Sequence, residues 1–195
     1  MDREAKKFWQ QQRKQMMRRN RRIGDGWLGE ASLTKTLIGL MVLAFLLTSF
    51  APSTLNTVSA APGGVLALYA VMILSPGGFY GLVLDGIFIW LIGSSIEPMA
   101  RWWQYLTVFF GSAIIAAVVE HFTGNPAISG SLATFGLAGA YIRIMMTRQV
   151  GGALRWALIL VGLNLVLSGF NVEAVLGLVI SLVSGFALTM ATGIA

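Results

Sequence analysis

The sequence predicts an all-α membrane protein with six transmembrane helices and both termini in the cytoplasm. The first observation behind this prediction is composition. Hydrophobic residues make up 56% of the 195-residue chain and charged residues only 11%, against roughly 25% charged residues in a soluble domain. The mean hydropathy is +0.74. Such a chain has too few charges to cover a water-soluble globule.

The second observation is a series of apolar runs, each close to the roughly 20 residues that a helix needs to cross a bilayer. Six runs are long enough: 34–52, 79–96, 102–121, 130–147, 154–170 and 174–194. A seventh run, 64–75, has only about 12 residues and is too short to span. We expect it to form an interfacial or re-entrant segment.

The third observation is the distribution of basic residues, which sets the orientation. Nine of the fourteen Lys and Arg residues lie between Arg3 and Arg22. With six spans and a cytoplasmic N-terminus, the other five fall in or beside cytoplasmic segments: Lys35, Arg101, Arg143, Arg148 and Arg155. A seventh span at 64–75 would place four of these outside, against the positive-inside rule. The chain therefore divides into a basic cytoplasmic tail, 1–33, and a membrane domain, 34–195.

The basic tail contains Phe8, Trp9, Met16 and Met17 among its charges. Two interpretations stay open: an amphipathic helix on the inner leaflet, or a solvated tail that only sets topology. In both, the expected partner is anionic lipid and not nucleic acid. The chain has no cysteine and one histidine, which excludes thiol chemistry and argues against a metal site. We expect no metal and no cofactor.

Asp85 lies in the middle of the second apolar run. An acid at bilayer depth costs at least ~2.5 kcal/mol, so it is expected to face the bundle interior. It marks a functional site, or it is a neutral, hydrogen-bonded carboxyl that holds helices together; both interpretations stay open. Small residues recur at helical spacing in two other runs, and such spacing favours close packing of helices. They are Gly136 and Ala140 in one run, and Gly177, Ser181 and Gly185 in the other.

Three stretches together resemble the rhomboid family of intramembrane serine proteases. "GGFYGLVLDGIFIWLIGSSIE" is similar to the second helix of that family, "SGSLATFGLAGAY" to the fourth, and "NVEAVLGLVISLVSGF" to the sixth. Their order and spacing match over residues 76 to about 190. The resemblance implies a rhomboid-like bundle whose catalytic positions have been lost.

On this resemblance Ser131 occupies the nucleophile position, but Leu132 replaces the glycine that follows it. Leu178 stands where the general-base histidine would be. Gly81 and Asp85 replace the histidine and asparagine of the oxyanion site. The positions that the sequence keeps are the packing positions Gly93, Glu97, Gly136 and Gly185. Without a base and without oxyanion donors, a serine hydroxyl is not an effective nucleophile, so we expect no enzymatic activity.

Inactive members of this superfamily bind transmembrane segments of other proteins. The resemblance therefore implies a scaffold, adaptor or assembly factor that binds integral membrane proteins. The lack of an organelle-targeting presequence and the compact six-span body favour a bacterial cytoplasmic membrane. The partner surface is expected beside the second and fifth helices, and includes Phe79, Tyr80, Phe88, Trp90, Trp156, Asn164 and Phe170.

Two other functions stay open at this point. One is a residual intramembrane protease that uses Ser131, with His121 as a replacement base. The other is a small accessory or transport subunit in which Asp85 contacts an ion or polar solute. A single buried acid without charged companions is a poor relay, so transport has less support.

Overall fold

The computed structural model describes residues 32–60, 62–123, 130–149, 152, 155, 159 and 172–194, and all regular structure within them is helical. The helices are α1 (Ser32–Phe50), α2 (Pro52–Ala60), α3 (Gly64–Leu74), α4 (Phe79–Met99), α5 (Trp102–Thr123), α6 (Gly130–Thr147) and α7 (Val172–Thr192). Helix α4 is not uniform. It contains an α-helical part, Phe79–Phe88, a π-helical turn, Ile89–Gly93, and two short turns, Ser94–Ile96 and Glu97–Met99.

Four of the described helices are long and apolar enough to cross a membrane. They are α1, α4, α5 and the Val175–Thr192 part of α7. Helix α6 has a similar length but is richer in small and polar residues, and thirteen of its eighteen residues are buried. It therefore lies at the centre of the described bundle, surrounded by protein. The chain has the architecture of a helical membrane protein.

The segment after α1 differs from the expectation. The first span was predicted to run to residue 52, and no helix was predicted between it and residue 64. In the structure α1 ends at Phe50 and a separate helix, α2, begins at Pro52. Proline cannot donate a backbone hydrogen bond, but it fits the first position of a helix, so it closes one helix and opens the next.

Helix α3 covers the short apolar run and has 11 residues. The Thr48 hydroxyl near the end of α1 lies 3.2 Å from the Ser75 hydroxyl, directly after α3. The chain thus leaves α1 and, after α2 and α3, returns to the same end of the bundle. This path agrees with a segment that does not cross the membrane.

Polar contacts define the two ends of the bundle. The Glu97 end brings together the start of α1, the end of α4 and the start of α5, through Thr34, Glu97 and Tyr105. The opposite end, which we call the Ser131 end, brings together the end of α1, the start of α4 and the start of α6. Helices α1, α4, α5 and α6 therefore alternate in direction.

Glu97 holds the Glu97 end together. Its carboxylate accepts hydrogen bonds from the backbone N–H groups of Leu33 (2.8 Å) and Thr34 (3.0 Å) and from the Thr34 hydroxyl (2.7 Å). The Tyr105 hydroxyl lies 3.1 Å from the same Thr34 hydroxyl. A Cβ on Gly93 would overlap the Tyr105 hydroxyl. A carboxylate from a distant helix thus satisfies N–H groups in the first turn of α1, where no intrahelical acceptor exists.

Candidate functional site

Ser131 is the second residue of α6 and is partly exposed at the Ser131 end. Its hydroxyl donates a hydrogen bond to Oδ2 of Asp85 on α4, at 2.9 Å. The two residues are 46 positions apart in the chain. The structure therefore joins the residue at the predicted nucleophile position to the acid at the predicted oxyanion position.

Asp85 is only 5% exposed. Its inward orientation, toward α6, agrees with the expectation from the cost of a charge in lipid. Thr134 lies next to the same carboxyl, one turn after Ser131, and its hydroxyl donates to the Gly130 carbonyl oxygen at 3.0 Å. Asp85 thus faces a small group of hydroxyls on the first turns of α6.

The start of α6 is held in place by contacts from the preceding helices. The Gly130 N–H donates to the Ser75 carbonyl oxygen at 2.9 Å. A Cβ on Gly130 would lie 3.0 Å from the end of the Met41 side chain and 3.5 Å from the Ile73 and Leu74 carbonyl oxygens. Because the first turn is fixed in this way, the Ser131 hydroxyl is directed at α4.

Helices α6 and α7 are in close contact. A Cβ on Gly185 would overlap the Gly136 carbonyl group, and one on Gly139 would overlap the Leu182 carbonyl group. The Ser181 hydroxyl donates to the Leu132 carbonyl oxygen. Helix α7 runs antiparallel to α5, since the start of α7 contacts the end of α5 (Gly177 with Glu120) and the end of α7 contacts the start of α5 (Thr192 with Gln104). Because α5 and α6 run in opposite directions, α6 and α7 run parallel. Ala140 is fully buried.

Gly177 does not contact the same helix as the other two small residues of its stripe. A Cβ on Gly177 would overlap the carboxyl group of Glu120, near the end of α5. The stripe therefore divides between two neighbours: Ser181 and Gly185 contact α6, and Gly177 contacts α5. Glu120 is itself 6% exposed. The sequence predicts only that Glu120 lies at a helix end. Its contact with Gly177 joins residues 57 positions apart, and no local sequence pattern predicts such a contact.

Two further positions of the predicted catalytic site carry no polar side chain. Leu178 belongs to the hydrophobic core and is 8% exposed. It precedes Ser181 by one turn of α7, and thus lies toward the Ser131 end. Gly81 is adjacent to Pro76, whose Cβ would lie 3.6 Å from a Cβ placed on the glycine.

His121, the alternative base, has an exposed side chain whose ring centroid lies 6.0 Å from that of Phe122. The hydrogen bond that Ser131 makes within the described residues is to Asp85. Across the described ranges, no group of three or more His, Cys, Asp or Glu side chains is arranged to hold a metal ion.

The predicted partner surface is exposed in part. Phe79, Tyr80 and Trp90 on α4 are 64%, 84% and 38% exposed, and the rings of Phe79 and Tyr80 meet edge to face at 6.2 Å. Phe88 packs against the hydrophobic core instead. The residues expected on the fifth helix, Trp156, Asn164 and Phe170, lie outside the described residues, as does the basic tail.

Comparison of the chain with protein-family models, with curated proteins and with solved structures finds no match.

Proposed function

We propose that this protein is a rhomboid-like membrane protein without catalytic activity, which binds transmembrane segments of partner proteins as a scaffold, adaptor or assembly factor. The observation that carries the proposal is the hydrogen bond between Ser131 and Asp85. It ties the hydroxyl at the nucleophile position to a carboxyl where the resemblance requires an amide donor. The serine is thus part of a helix contact.

The chemistry of the neighbouring groups supports this proposal. A serine proteinase needs a base for the hydroxyl proton and donors for the developing oxyanion. An ionised Asp85 would repel the oxyanion, and a neutral Asp85 would leave the hydroxyl without a base. Leu178 and Gly81 supply neither group.

The directions of the helices support six spans. Helices α6 and α7 run parallel, so the end of α6 and the start of α7 lie at opposite ends of the bundle. One further span between them, as predicted at 154–170, satisfies this arrangement. Lys35, Arg101, Arg143 and Arg148 all belong to segments at the Glu97 end, which we therefore assign to the cytoplasm, with the basic tail against anionic lipid.

Site-specific photocrosslinking tests the partner-binding proposal. A benzoylphenylalanine in place of Tyr80, on the exposed face of α4, should crosslink to transmembrane segments of other membrane proteins. The matched control is the same group at Val183, which is 58% exposed on α7. Equal crosslinking from both positions, or none from Tyr80, would contradict the proposal.

One second candidate function is favoured by a specific distance. The 2.9 Å between Ser131 Oγ and Asp85 Oδ2 is within the reach of about 2.6–3.2 Å expected for a general base. A residual serine hydrolase could use Asp85 in place of the missing imidazole. The objection is electrostatic, because the same carboxyl lies beside the position of the oxyanion.

Active-site labelling separates the two functions. Our proposal predicts that a fluorophosphonate probe does not label the wild-type protein, and that model transmembrane substrates are not cleaved. Labelling or cleavage that is lost in Ser131→Ala and in Asp85→Asn would establish the hydrolase instead. Ser112→Ala, which alters a buried hydroxyl on α5, controls for nonspecific effects on the fold.

A further inference from the structure

The corner between α4 and α5 is held by hydrogen bonds on its inner side. The Glu97 carboxylate accepts hydrogen bonds from the start of α1. The Gln104 side chain makes two more: its Oε1 accepts from the Arg101 backbone N–H at 2.7 Å, and its Nε2 donates to the Thr192 carbonyl oxygen of α7 at 2.7 Å. The short segment that joins α4 to α5 is therefore fixed against both α1 and α7.

The outer side of the same corner carries exposed side chains. Arg101 is exposed, and Trp102 and Trp103 directly after it are 66% and 41% exposed. Met99, two residues before Arg101, is also exposed. Trp102 is the first residue of a span that ends at Phe122, so these side chains lie where the span meets the membrane surface, a depth at which tryptophan is enriched. We call Met99, Arg101, Trp102 and Trp103 the corner patch.

The polar side-chain groups of the corner patch are all hydrogen-bond donors. Arginine carries five N–H donors and each indole carries one, and neither side chain has an acceptor. Among the described residues, no carboxylate pairs with the Arg101 guanidinium, and the hydrogen bond of Arg101 is made by its backbone N–H. The acid nearest in the chain, Glu97, directs both of its oxygens at the start of α1. A ligand for this patch must therefore supply acceptor oxygens and negative charge.

The apolar part of the patch selects among anionic ligands. Free phosphate would satisfy the donors but leave the two indole rings and the Met99 side chain uncovered, whereas a phospholipid covers them with its glycerol and acyl chain. A zwitterionic phospholipid also brings a cationic group, for which the patch offers no carboxylate. Charge and apolar contact together favour an anionic phospholipid.

We propose that the corner patch binds the headgroup of an anionic phospholipid. The phosphate oxygens accept hydrogen bonds from the Arg101 guanidinium and from the indole N–H groups of Trp102 and Trp103, and the acyl chain lies against the indole rings. Arginine suits this role because its planar fork can donate two parallel hydrogen bonds to one phosphate. The site is distinct from the basic tail. It goes beyond the proposed function, since it depends on neither the rhomboid resemblance nor a protein partner.

Fluorine NMR of the full chain labelled with 5-fluorotryptophan tests this site. The chain has six tryptophans, and single Trp→Phe variants assign their signals. In an uncharged detergent, short-chain phosphatidylglycerol should shift the Trp102 and Trp103 signals to saturation. In the same spectrum Trp9 and Trp27 report separately on the basic tail, and Trp90, in the π-helical turn of α4, is a control that should not follow this titration. Short-chain phosphatidylcholine and inorganic phosphate should not reproduce the saturating shift.

Two substitutions that remove the same charge separate a site from general attraction. Arg101→Gln keeps the backbone bond to Gln104 and should weaken the apparent affinity at Trp102 and Trp103 at least about fivefold. Arg148→Gln is the matched control, because Arg148 is exposed at the same end but lies between Thr147 and Gln149 instead of beside indoles. It should weaken the affinity less than about twofold, since its charge acts only through screening solvent.

Arg101→Lys provides a second variant that keeps the charge. It should bind more weakly than the wild type and more tightly than Arg101→Gln, because lysine attracts the phosphate but lacks the bidentate fork. Equal weakening by Arg101→Gln and Arg148→Gln would overturn the site in favour of general attraction by the basic surface. Equal affinity for phosphatidylcholine, or Trp102 and Trp103 signals that move only together with Trp9 and Trp27 and never saturate, would overturn it as well.

Discussion

Gly185→Ala tests a close backbone-to-backbone contact between α6 and α7. A Cβ at this position would overlap the carbonyl group of Gly136. A backbone carbonyl cannot rotate away as a flexible side chain can, so α6 and α7 must separate. Because every contact along the crossing loosens with that separation, we expect a loss of stability even for the smallest side chain.

The magnitude follows from two opposing effects. Overpacking of a well-packed site costs about 1–3 kcal/mol, and the better helix propensity of alanine over glycine returns up to about 1 kcal/mol. We therefore expect Gly185→Ala to lower the free energy of unfolding by roughly 1–2 kcal/mol. Gly185→Leu, with three more carbon atoms in the same place, should cost more than the alanine variant.

Gly39→Ala is the matched control. Gly39 is a helical glycine of α1, and nothing lies within 4 Å of a Cβ built on it. The same substitution there should be neutral or slightly stabilising. The assay is thermal unfolding of both variants and the wild type in one detergent. Equal melting temperatures for Gly185→Ala and wild type, or equal losses for both variants, would refute the close approach of α6 and α7.

Three further substitutions test the polar contacts. Asp85→Asn should change the free energy of unfolding by less than about 1 kcal/mol, because the amide oxygen still accepts a hydrogen bond from Ser131. Asp85→Leu should lower that free energy by about 1–3 kcal/mol. Loss of partner binding in folded Asp85→Asn would make the ionised carboxylate the functional group. Glu97→Gln should lower the free energy of unfolding by about 1–3 kcal/mol, since one acceptor oxygen and the charge are lost. An unchanged melting temperature would show that the start of α1 does not depend on the Glu97 carboxylate. Gly177→Ala should cost less than Gly185→Ala in the same unfolding assay, because the Glu120 side chain can rotate; the reverse order would contradict the placement of Gly177.

The sequence identifies two residues of the candidate site, and the structure brings them into contact. The sequence singled out Ser131 and Asp85 independently, the first from a motif and the second from its position in an apolar run. Their hydrogen bond joins residues 46 positions apart. No local pattern encodes such a pair, because it depends on how α4 and α6 are placed side by side.

The stripe Gly177, Ser181 and Gly185 shows why small-residue spacing predicts packing but not the neighbour. At 3.6 residues per turn, positions four apart are rotated by roughly 40° around the helix. Over eight residues the stripe therefore turns through roughly 80°. Gly185 faces α6 and Gly177 faces α5 for this reason.

The sequence by itself determined the features that depend on one helix and its solvent. Apolar length set the positions of the described spans, since the hydrocarbon thickness sets a minimum. The cost of a carboxyl in lipid directed Asp85 inward. The position of α6 at the centre, the support of the α1 start by Glu97 and the contact of Glu120 with Gly177 were decided only by tertiary structure. Each of these depends on which side chains several helices bring to one place, and such contacts between distant residues leave no periodic signal in the chain.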